Sequence, residues 1–234
     1  MTRVRKAFLA FVVAIVGVAS IGIAPSTAQT TEQNEILVLR SYSDLLQRSP
    51  ESPAFETWVS ELDGGLPRTS YALALLQSGE FHEVLVNEFY GVYLERAADP
   101  GGLAAFAPLI DGGSSWEYVQ SLILASDEFF TNVGGADENF VSALYGVVLE
   151  REPDKAGFHA FVEALSEGWS RQQVADAFVL SPEGRAVLIA GMYESFLGRV
   201  VDGDSLAVWI MTPYETLLVA IVASDEYYNL PIKP

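Results

Sequence analysis

Four arginines recur at one position of a repeated pattern and carry the most regular chemistry in the chain. They are Arg48, Arg96, Arg151 and Arg199. A tyrosine precedes each of them by six residues: Tyr42, Tyr90, Tyr145 and Tyr193. An acid follows each by three residues: Glu51, Asp99, Asp154 and Asp202. Each unit then closes on a Ser-x-Glu motif, whose acids are Glu80, Glu128, Glu183 and Glu226.

The chemistry that suits such an arginine is the binding of a carboxylate. A guanidinium offers five N–H donors in a planar fork, which can hold an acid of the protein or an anionic ligand. Because acids recur in the same register, we expect each arginine to pair with the acid three residues on or with the glutamate of Ser-x-Glu. That pairing would tie helix ends together. Direct contact with a ligand is the alternative.

Residues typical of catalysis are few. The chain has no cysteine and two histidines, His82 and His159, which do not form a zinc-type pair. It also has no nucleophile elbow, P-loop or dinucleotide-binding fingerprint. The sequence therefore predicts that the protein is not an enzyme. The alternative is a glycan-active enzyme that uses two of the 31 acidic residues as a carboxylate pair.

The best candidate for a metal site is the loop Asp202-Gly203-Asp204. Calcium takes six or more oxygen ligands, and an EF-hand loop needs a glutamate at its twelfth position. Here that position holds Pro213. We therefore expect no metal and no other cofactor, with calcium as the remaining alternative.

Two of the four tryptophans are candidate ligand contacts. Trp58 and Trp209 occupy the repeated aromatic position ten residues after the arginine, where burial is expected. Trp116 and Trp169 lie instead at the turn between the second and third helix of their units. Trp169 stands before the capping residue Ser170, a position typical of a hydrophobic staple. The alternative is an exposed ring that stacks on a sugar or on a partner protein.

The N-terminal residues and the net charge indicate the cellular compartment of the protein. Basic residues, an apolar run from Ala7 to Ala24 and Ser26-Thr27-Ala28 predict a secretory signal over residues 1–28, with cleavage after Ala28; an uncleaved membrane anchor is the alternative. Without that segment, 10 basic residues face 31 acidic ones, a net charge of −21. Such a charge disfavours nucleic acid and anionic lipid as partners. We expect a secreted or cell-surface protein with no further membrane span.

Three helices per unit position these residues. Apolar side chains at Phe140, Val141, Leu144, Tyr145 and Val148 have the spacing of one helix face, and the other units repeat it, with Ser41 as the one exception. The acid after each arginine begins helix two, and Asp99-Pro100 is the clearest copy. Helix three is expected to begin with a capping box in three units: Ser114 to Glu117, Ser170 to Gln173 and Thr212 to Glu215.

The repeat spacing predicts an all-α fold of four tandem three-helix repeats, arranged as two lobes of two repeats. Tyrosine-to-tyrosine spacing is 48 residues within each pair and 55 between the second and third units, and the fourth unit is shortened. The predicted segments are a signal peptide over 1–28, a leader over 29–35, units 1 to 4 over 36–81, 82–130, 139–185 and 186–228, an inter-lobe loop over 131–138 and a tail over 229–234. Any enzymatic carboxylate pair would lie between the lobes.

The motif Tyr-x3-Leu-x-Arg, followed by an acid, an aromatic residue and Ser-x-Glu, resembles a bacterial repeat known as domain-of-unknown-function family four-two-one-four. The third unit, from Leu144 through Arg151 and Asp154 to Phe161, carries the resemblance best. The resemblance implies a helical module of exported or surface proteins, often beside calcium-binding repeats or surface-layer segments, with no catalytic residues to carry over. We therefore expect a non-catalytic binding or scaffold module at the cell exterior, whose partner is an extracellular protein or a glycan.

Overall fold

The computed structural model describes residues 30–231, and this part of the chain is helical without a β-strand. The predicted signal peptide and the last three residues of the predicted tail lie outside the described residues. The all-α class predicted from the sequence is confirmed. No helix among the described residues is long and apolar enough to cross a bilayer.

Fourteen α-helices make up residues 30–231. In chain order they are α1 (Thr31–Leu46), α2 (Ser52–Asp63), α3 (Arg68–Leu76), α4 (Gly79–Phe89), α5 (Pro100–Asp111), α6 (Trp116–Leu124), α7 (Asp127–Asn132), α8 (Asp137–Val148), α9 (Lys155–Ser166), α10 (Arg171–Val179), α11 (Pro182–Met192), α12 (Gly203–Trp209), α13 (Tyr214–Ala223) and α14 (Asp225–Tyr228). Helices α4 and α11 each continue into a π-helical turn, at Tyr90–Leu94 and Tyr193–Leu197.

Ser-x-Glu begins a helix in all four units, because its serine hydroxyl accepts the backbone N–H three residues on. Ser78, Ser126, Ser181 and Ser224 do this for α4, α7, α11 and α14. The helix opened by Ser78 runs without interruption into the tyrosine of the next unit, as does the helix opened by Ser181. After Ser126 the chain instead turns at Gly134 and Gly135, which both have positive φ, before α8 begins.

Two of the three predicted capping boxes are wrong. Ser170 and Gln173 form a box at α10 as predicted, but Ser115, not Ser114, caps α6. Pro213 stands at the N-cap of α13, with no side-chain cap from Thr212. In both failures the helix begins one residue later than predicted, which places Glu117 and Glu215 at the second helical position instead of the third.

The third helices of the units pair between distant parts of the chain. Helix α3 of unit 1 packs on α13 of unit 4, and α6 of unit 2 packs on α10 of unit 3. These two pairs are related by an internal two-fold pattern, in which residues of units 1 and 2 match residues about 103 positions later. Tyr42 matches Tyr145 in this way, and Tyr90 matches Tyr193. Past the shortening of unit 4 the offset becomes 98, so that Ser126 matches Ser224.

Ion pairs at the two third-helix contacts follow the same pattern. Arg68 at the start of α3 binds Asp225 and stacks over the Tyr228 ring at 4.4 Å. Arg171 at the start of α10 binds Asp127 at 2.5 Å and stacks over Phe130 at 4.4 Å. Both arginines therefore join the third helix of one half to the helix that follows Ser-x-Glu in the other half.

A single hydrophobic core runs through both halves of residues 30–231. It contains Leu37 and Tyr71 from unit 1 together with Phe178 from unit 3 and Tyr227 from the end of unit 4. The halves are thus packed on each other through this core. The apolar faces of the third helices cover one another at that position, which removes them from water.

Candidate ligand pocket and the arginine nodes

An arginine node is defined here as the tyrosine, the arginine, the acid three residues on and the Ser-x-Glu glutamate of one unit. The residue before each arginine adopts the left-handed conformation that ends a helix, at Gln47, Glu95, Glu150 and Gly198. This reversal turns the arginine back over its own tyrosine. Guanidinium carbon and ring centroid lie 5.1, 4.8, 4.8 and 4.9 Å apart in units 1 to 4.

The guanidinium of each node is occupied by the protein itself. In unit 2, Arg96 Nε and Nη2 donate to the two oxygens of Glu128 at 2.6 and 2.7 Å, and Nη1 donates to the Ala97 carbonyl at 2.9 Å. Nη1 also reaches Asp99 at 3.1 Å. The other three nodes have the same fork on Glu80, Glu183 and Glu226. With its donors engaged in this way, the arginine has little left for a ligand.

Node charges stabilise one another. Hydrogen bonding from Arg96 lowers the pKa of Glu128, and hydrogen bonding from the Gly102 N–H lowers the pKa of Asp99. Glu183 and Glu226 have lowered pKa values from Arg151 and Arg199 for the same reason. All these groups lie at the surface, where solvent weakens each ion pair.

Inner and outer nodes fill the space around the tyrosine hydroxyl differently. In units 1 and 4 the repeated aromatic is tryptophan, and Trp58 and Trp209 donate to the hydroxyls of Tyr42 and Tyr193 at 3.1 and 2.8 Å. In units 2 and 3 the aromatic is phenylalanine, and a glycine lies against the hydroxyl instead. A Cβ on Gly102 or Gly157 would collide with Tyr90 or Tyr145.

The two candidate tryptophans have different surroundings. Trp116 is buried and lies 5.3 Å from Phe81 between ring centroids, on the wall of a pocket described below. Trp169 is 48% exposed at the turn before α10. The candidate calcium loop is used locally, since Asp202 caps α12 by accepting the Ser205 N–H at 2.8 Å. No group of three or more potential metal ligands occurs among residues 30–231.

A pocket of about 570 Å³, counting its open mouth, lies where the two halves meet. One side is formed by α1, by α4 with its π-helical turn and by Trp116 of α6. The other side is formed by Leu188, Phe196 and Leu218 of unit 4. Sequence reasoning missed this pocket, because its walls come from positions that read as ordinary core residues and that meet only through the third-helix pairing.

The internal two-fold pattern places a second, smaller cavity of about 210 Å³ at the matching position. There Tyr93 and Gln120 form a buried hydrogen bond of 2.6 Å. Their counterparts in the larger pocket are Phe196 and Leu218, which have no polar group to pair. The same space is therefore smaller and partly polar on one side of the molecule, and larger and carbon-lined on the other.

Two carboxylates, Asp44 of α1 and Glu88 of α4, lie at the larger pocket. Asp44 is buried and accepts the Tyr227 hydroxyl at 2.7 Å. Glu88 is half-buried and accepts the Gln47 amide at 2.6 Å. Burial raises the pKa of Glu88. The wall that faces the open space consists of carbon atoms, so neither carboxylate oxygen is presented into it.

A buried ion pair keeps the two halves together beside the pocket. Arg185 of α11 lies 3.2 Å from Glu117 of α6, and both side chains are less than a tenth exposed. Arg185 also donates to the Ile210 carbonyl at 2.5 Å, and Glu117 accepts the Tyr214 N–H at 3.2 Å. Each charge is thus paired and hydrogen-bonded, which burial requires. The sequence offered no signal for this pair, whose members are 68 residues apart.

Comparison with curated proteins and with solved structures finds no match. A family model described as a domain of unknown function (DUF4214) matches residues 26–85 and 119–188, which together are more than half of the chain. The first match covers unit 1, and the second runs from within α6 to within α11. The resemblance stated from the repeat motif is confirmed, and the chain belongs to the DUF4214 family.

Proposed function

We propose that this protein is an exported, non-catalytic binding module that holds the apolar part of a ligand in the pocket between its halves. One observation carries the proposal. The pocket is larger than its matching cavity where Phe196 and Leu218 stand at the positions that correspond to Tyr93 and Gln120.

An empty space of this kind is costly to a protein core. Interiors are close-packed, and voids lose contacts in proportion to their volume. The smaller cavity shows that this fold can nearly close the same space with a different set of side chains. The larger pocket is lined by carbon atoms, and small-molecule sites are likewise mostly apolar. Binding explains why the space is kept open.

The environment of the two carboxylates supports binding rather than glycan hydrolysis. Hydrolysis needs a pair of carboxyl groups that flank the scissile bond, one as acid and one as base or nucleophile. Here Asp44 is held by Tyr227 and Glu88 by Gln47, and the wall between them is carbon. A sugar, with its many hydroxyls, would find no hydrogen-bond partners inside this pocket.

Export is the part of the proposal that rests on sequence alone, through the basic and apolar start of the chain. We further propose that Trp169, half-exposed at a turn away from the pocket lining, is the position at which a protein or glycan at the cell exterior would make contact.

A neutral apolar dye such as Nile red tests the pocket. The dye should bind the full chain with one site, and octan-1-ol should displace it. Val84→Trp at the half-exposed mouth should abolish dye binding, because the larger ring fills the entrance. Leu180→Trp is the matched control, since Leu180 is 55% exposed and does not line the pocket. Equal dye binding by both variants, each with a normal melting curve, would refute the proposal.

A further inference from the structure

The mouth of the pocket lies on one face of α4, and the inference drawn here rests on the proposed binding function. Of the residues that line the pocket, Val84 and Glu88 are half-buried and the others are buried. Val84 and Glu88 are one helical turn apart, so they stand on the same face of α4. A ligand that enters the pocket on this side would pass along this face of α4, with its outer end near Glu88.

Glu88 stands at the rim, outside the carbon-lined space, with one of its carboxylate oxygens held by the protein. Gln47, which follows α1 in the left-handed conformation, donates its amide to Glu88 Oε1 and fixes the carboxylate. Among the described residues no other hydrogen bond engages Glu88 Oε2. A half-buried carboxylate with one oxygen held and one available makes a stronger hydrogen bond than a fully solvated one, because less water competes for it.

The acids that line the pocket are Asp44 and Glu88, and no lining residue is basic. The buried cation Arg40 lies over the Tyr227 ring and interacts with Asp44, so within the described part of the chain Glu88 is the acid of the lining that has no cation beside it. The chain as a whole has a net charge of −18. An anionic head group would be repelled at this mouth, whereas a cationic head group would be attracted and could donate to Glu88.

We infer that the ligand is a single-chain amphiphile with a cationic amine head, whose alkyl chain occupies the carbon-lined pocket while the ammonium group binds Glu88. A primary alkyl amine resembles a lysine side chain and is protonated at pH 7. Its alkyl part gains from burial in proportion to the area removed from water. Its head remains at the half-exposed rim, which avoids the cost of burying a charge.

Three probes with the same eight-carbon chain test the head group: octylamine, octan-1-ol and sodium octanoate. Their dissociation constants for the full chain would be measured by calorimetry at pH 7 and low ionic strength. We expect octylamine to bind about tenfold more tightly than octan-1-ol, the low end for a charge-assisted hydrogen bond, and octanoate to bind most weakly.

Substitution of the rim acid assigns any preference to Glu88. In Glu88→Gln the advantage of octylamine over octan-1-ol should fall to within twofold, since the glutamine keeps the size and loses the charge. Glu83→Gln is the control on the same helix, because Glu83 is exposed and does not line the pocket. Octanoate binding as tightly as octylamine, or a preference that survives in Glu88→Gln, would overturn the inference.

The same measurements separate this inference from the proposed function. If all three probes bind equally and Val84→Trp abolishes their binding, the pocket is a ligand site and the amine head is wrong. If no probe binds and Nile red does not bind either, both the site and the head group are wrong. Binding that is unaffected by Val84→Trp would place the probes elsewhere and refute both.

Discussion

The four arginine nodes are the same in every unit, whereas the central pocket differs from the cavity at its matching position. Every node uses the same fork of a guanidinium on a glutamate and the same stacking over a tyrosine. The pocket and its smaller counterpart occupy matching positions, yet one is carbon-lined and the other contains the hydrogen bond between Tyr93 and Gln120. The contacts of the nodes at the periphery therefore recur in every unit, whereas the two cavities at the centre have different linings.

This difference separates what the fold needs from what one particular chain adds. Each unit has to join the end of its first helix to the start of its second and to the next Ser-x-Glu helix, and the node makes all three connections. No such requirement falls on the two matching cavities at the centre, where the halves pack on each other. Residues there are free to diverge, and divergence is where a chain-specific ligand site would arise.

The largest expected effect comes from breaking the charge pair that joins the halves at the centre. Arg185→Met would leave Glu117 buried without its partner, and the free energy of unfolding should fall by roughly 3–5 kcal/mol. Urea denaturation measures the loss. The double variant Arg185→Met, Glu117→Gln is the control, because it removes the stranded charge and should recover part of the stability. A single variant as stable as the wild type would show that the pair does not hold the halves together.

The next effect distinguishes inner nodes from outer ones. Gly157→Ala should cost about 1–3 kcal/mol, because the new methyl group collides with the Tyr145 hydroxyl. Gly146→Ala, on an exposed position of α8 with open space around it, should instead stabilise by about 0.5–1 kcal/mol through helix propensity.

Removal of the colliding hydroxyl checks the reason for the glycine. In the double variant Gly157→Ala, Tyr145→Phe much of the lost stability should return, as judged by chemical denaturation. If Gly157→Ala is neutral, the close approach of tyrosine and glycine is not what distinguishes the inner nodes. The choice of phenylalanine with glycine in units 2 and 3, and of tryptophan in units 1 and 4, would then have a different physical cause.

A smaller effect is expected from a node arginine. Arg151→Met should lower the melting temperature by a few degrees, because it removes the fork on Glu183 and the stacking over Tyr145. The change is modest because solvent reaches the ion pair. Binding of Nile red in the pocket should be unaffected. Unchanged thermal stability together with loss of a ligand would assign the node a binding role instead of a structural one.

These effects rest on contacts that sequence reasoning could reach to different degrees. The helical class and the Ser-x-Glu caps could be predicted because periodicity and capping are local. The pairing options of each arginine could also be stated in advance, since the acids recur at fixed offsets. Contacts across the two halves could not, because no local pattern specifies that α3 meets α13.

Ser41 illustrates the limit. In the sequence it interrupts an apolar stripe, and in the structure it is fully buried with its hydroxyl 2.5 Å from that of Tyr71. The polar residue is tolerated in the core because its hydroxyl donates to the Leu37 carbonyl of its own helix and pairs with the Tyr71 hydroxyl of another helix. The matching positions in the other half are Leu144 and Val174, which pack without a hydrogen bond. Neither residue of such a pair predicts the other from sequence alone.

The smallest effect has opposite signs at the two kinds of site and follows pH. At the nodes, Arg96 lowers the pKa of Glu128. The ionised Glu128 therefore stabilises the folded state fully above roughly pH 4.3, the ordinary glutamate value, and this stabilisation is lost as the pH falls through the lower pKa of the folded state. Glu128→Gln should therefore be less stable than the wild type at pH 7 and should approach it in acid.

At the pocket rim the sign reverses. Burial raises the pKa of Glu88, so the ionised carboxylate destabilises the folded state above its raised value and ceases to do so below roughly pH 4.3. Glu88→Gln should thus be slightly more stable than the wild type at pH 7, with the difference vanishing in acid. Melting temperatures of both variants across pH 3–7 provide the measurement.

Octylamine should reverse the order of the melting temperatures of Glu88→Gln and the wild type at pH 7, because the amine stabilises only the chain that keeps its rim carboxylate. If the stabilities of both glutamine variants, relative to the wild type, change in the same direction with pH, then Glu88 behaves like a node acid. The contrast between the paired acids of the nodes and the rim acid of the pocket would then be wrong.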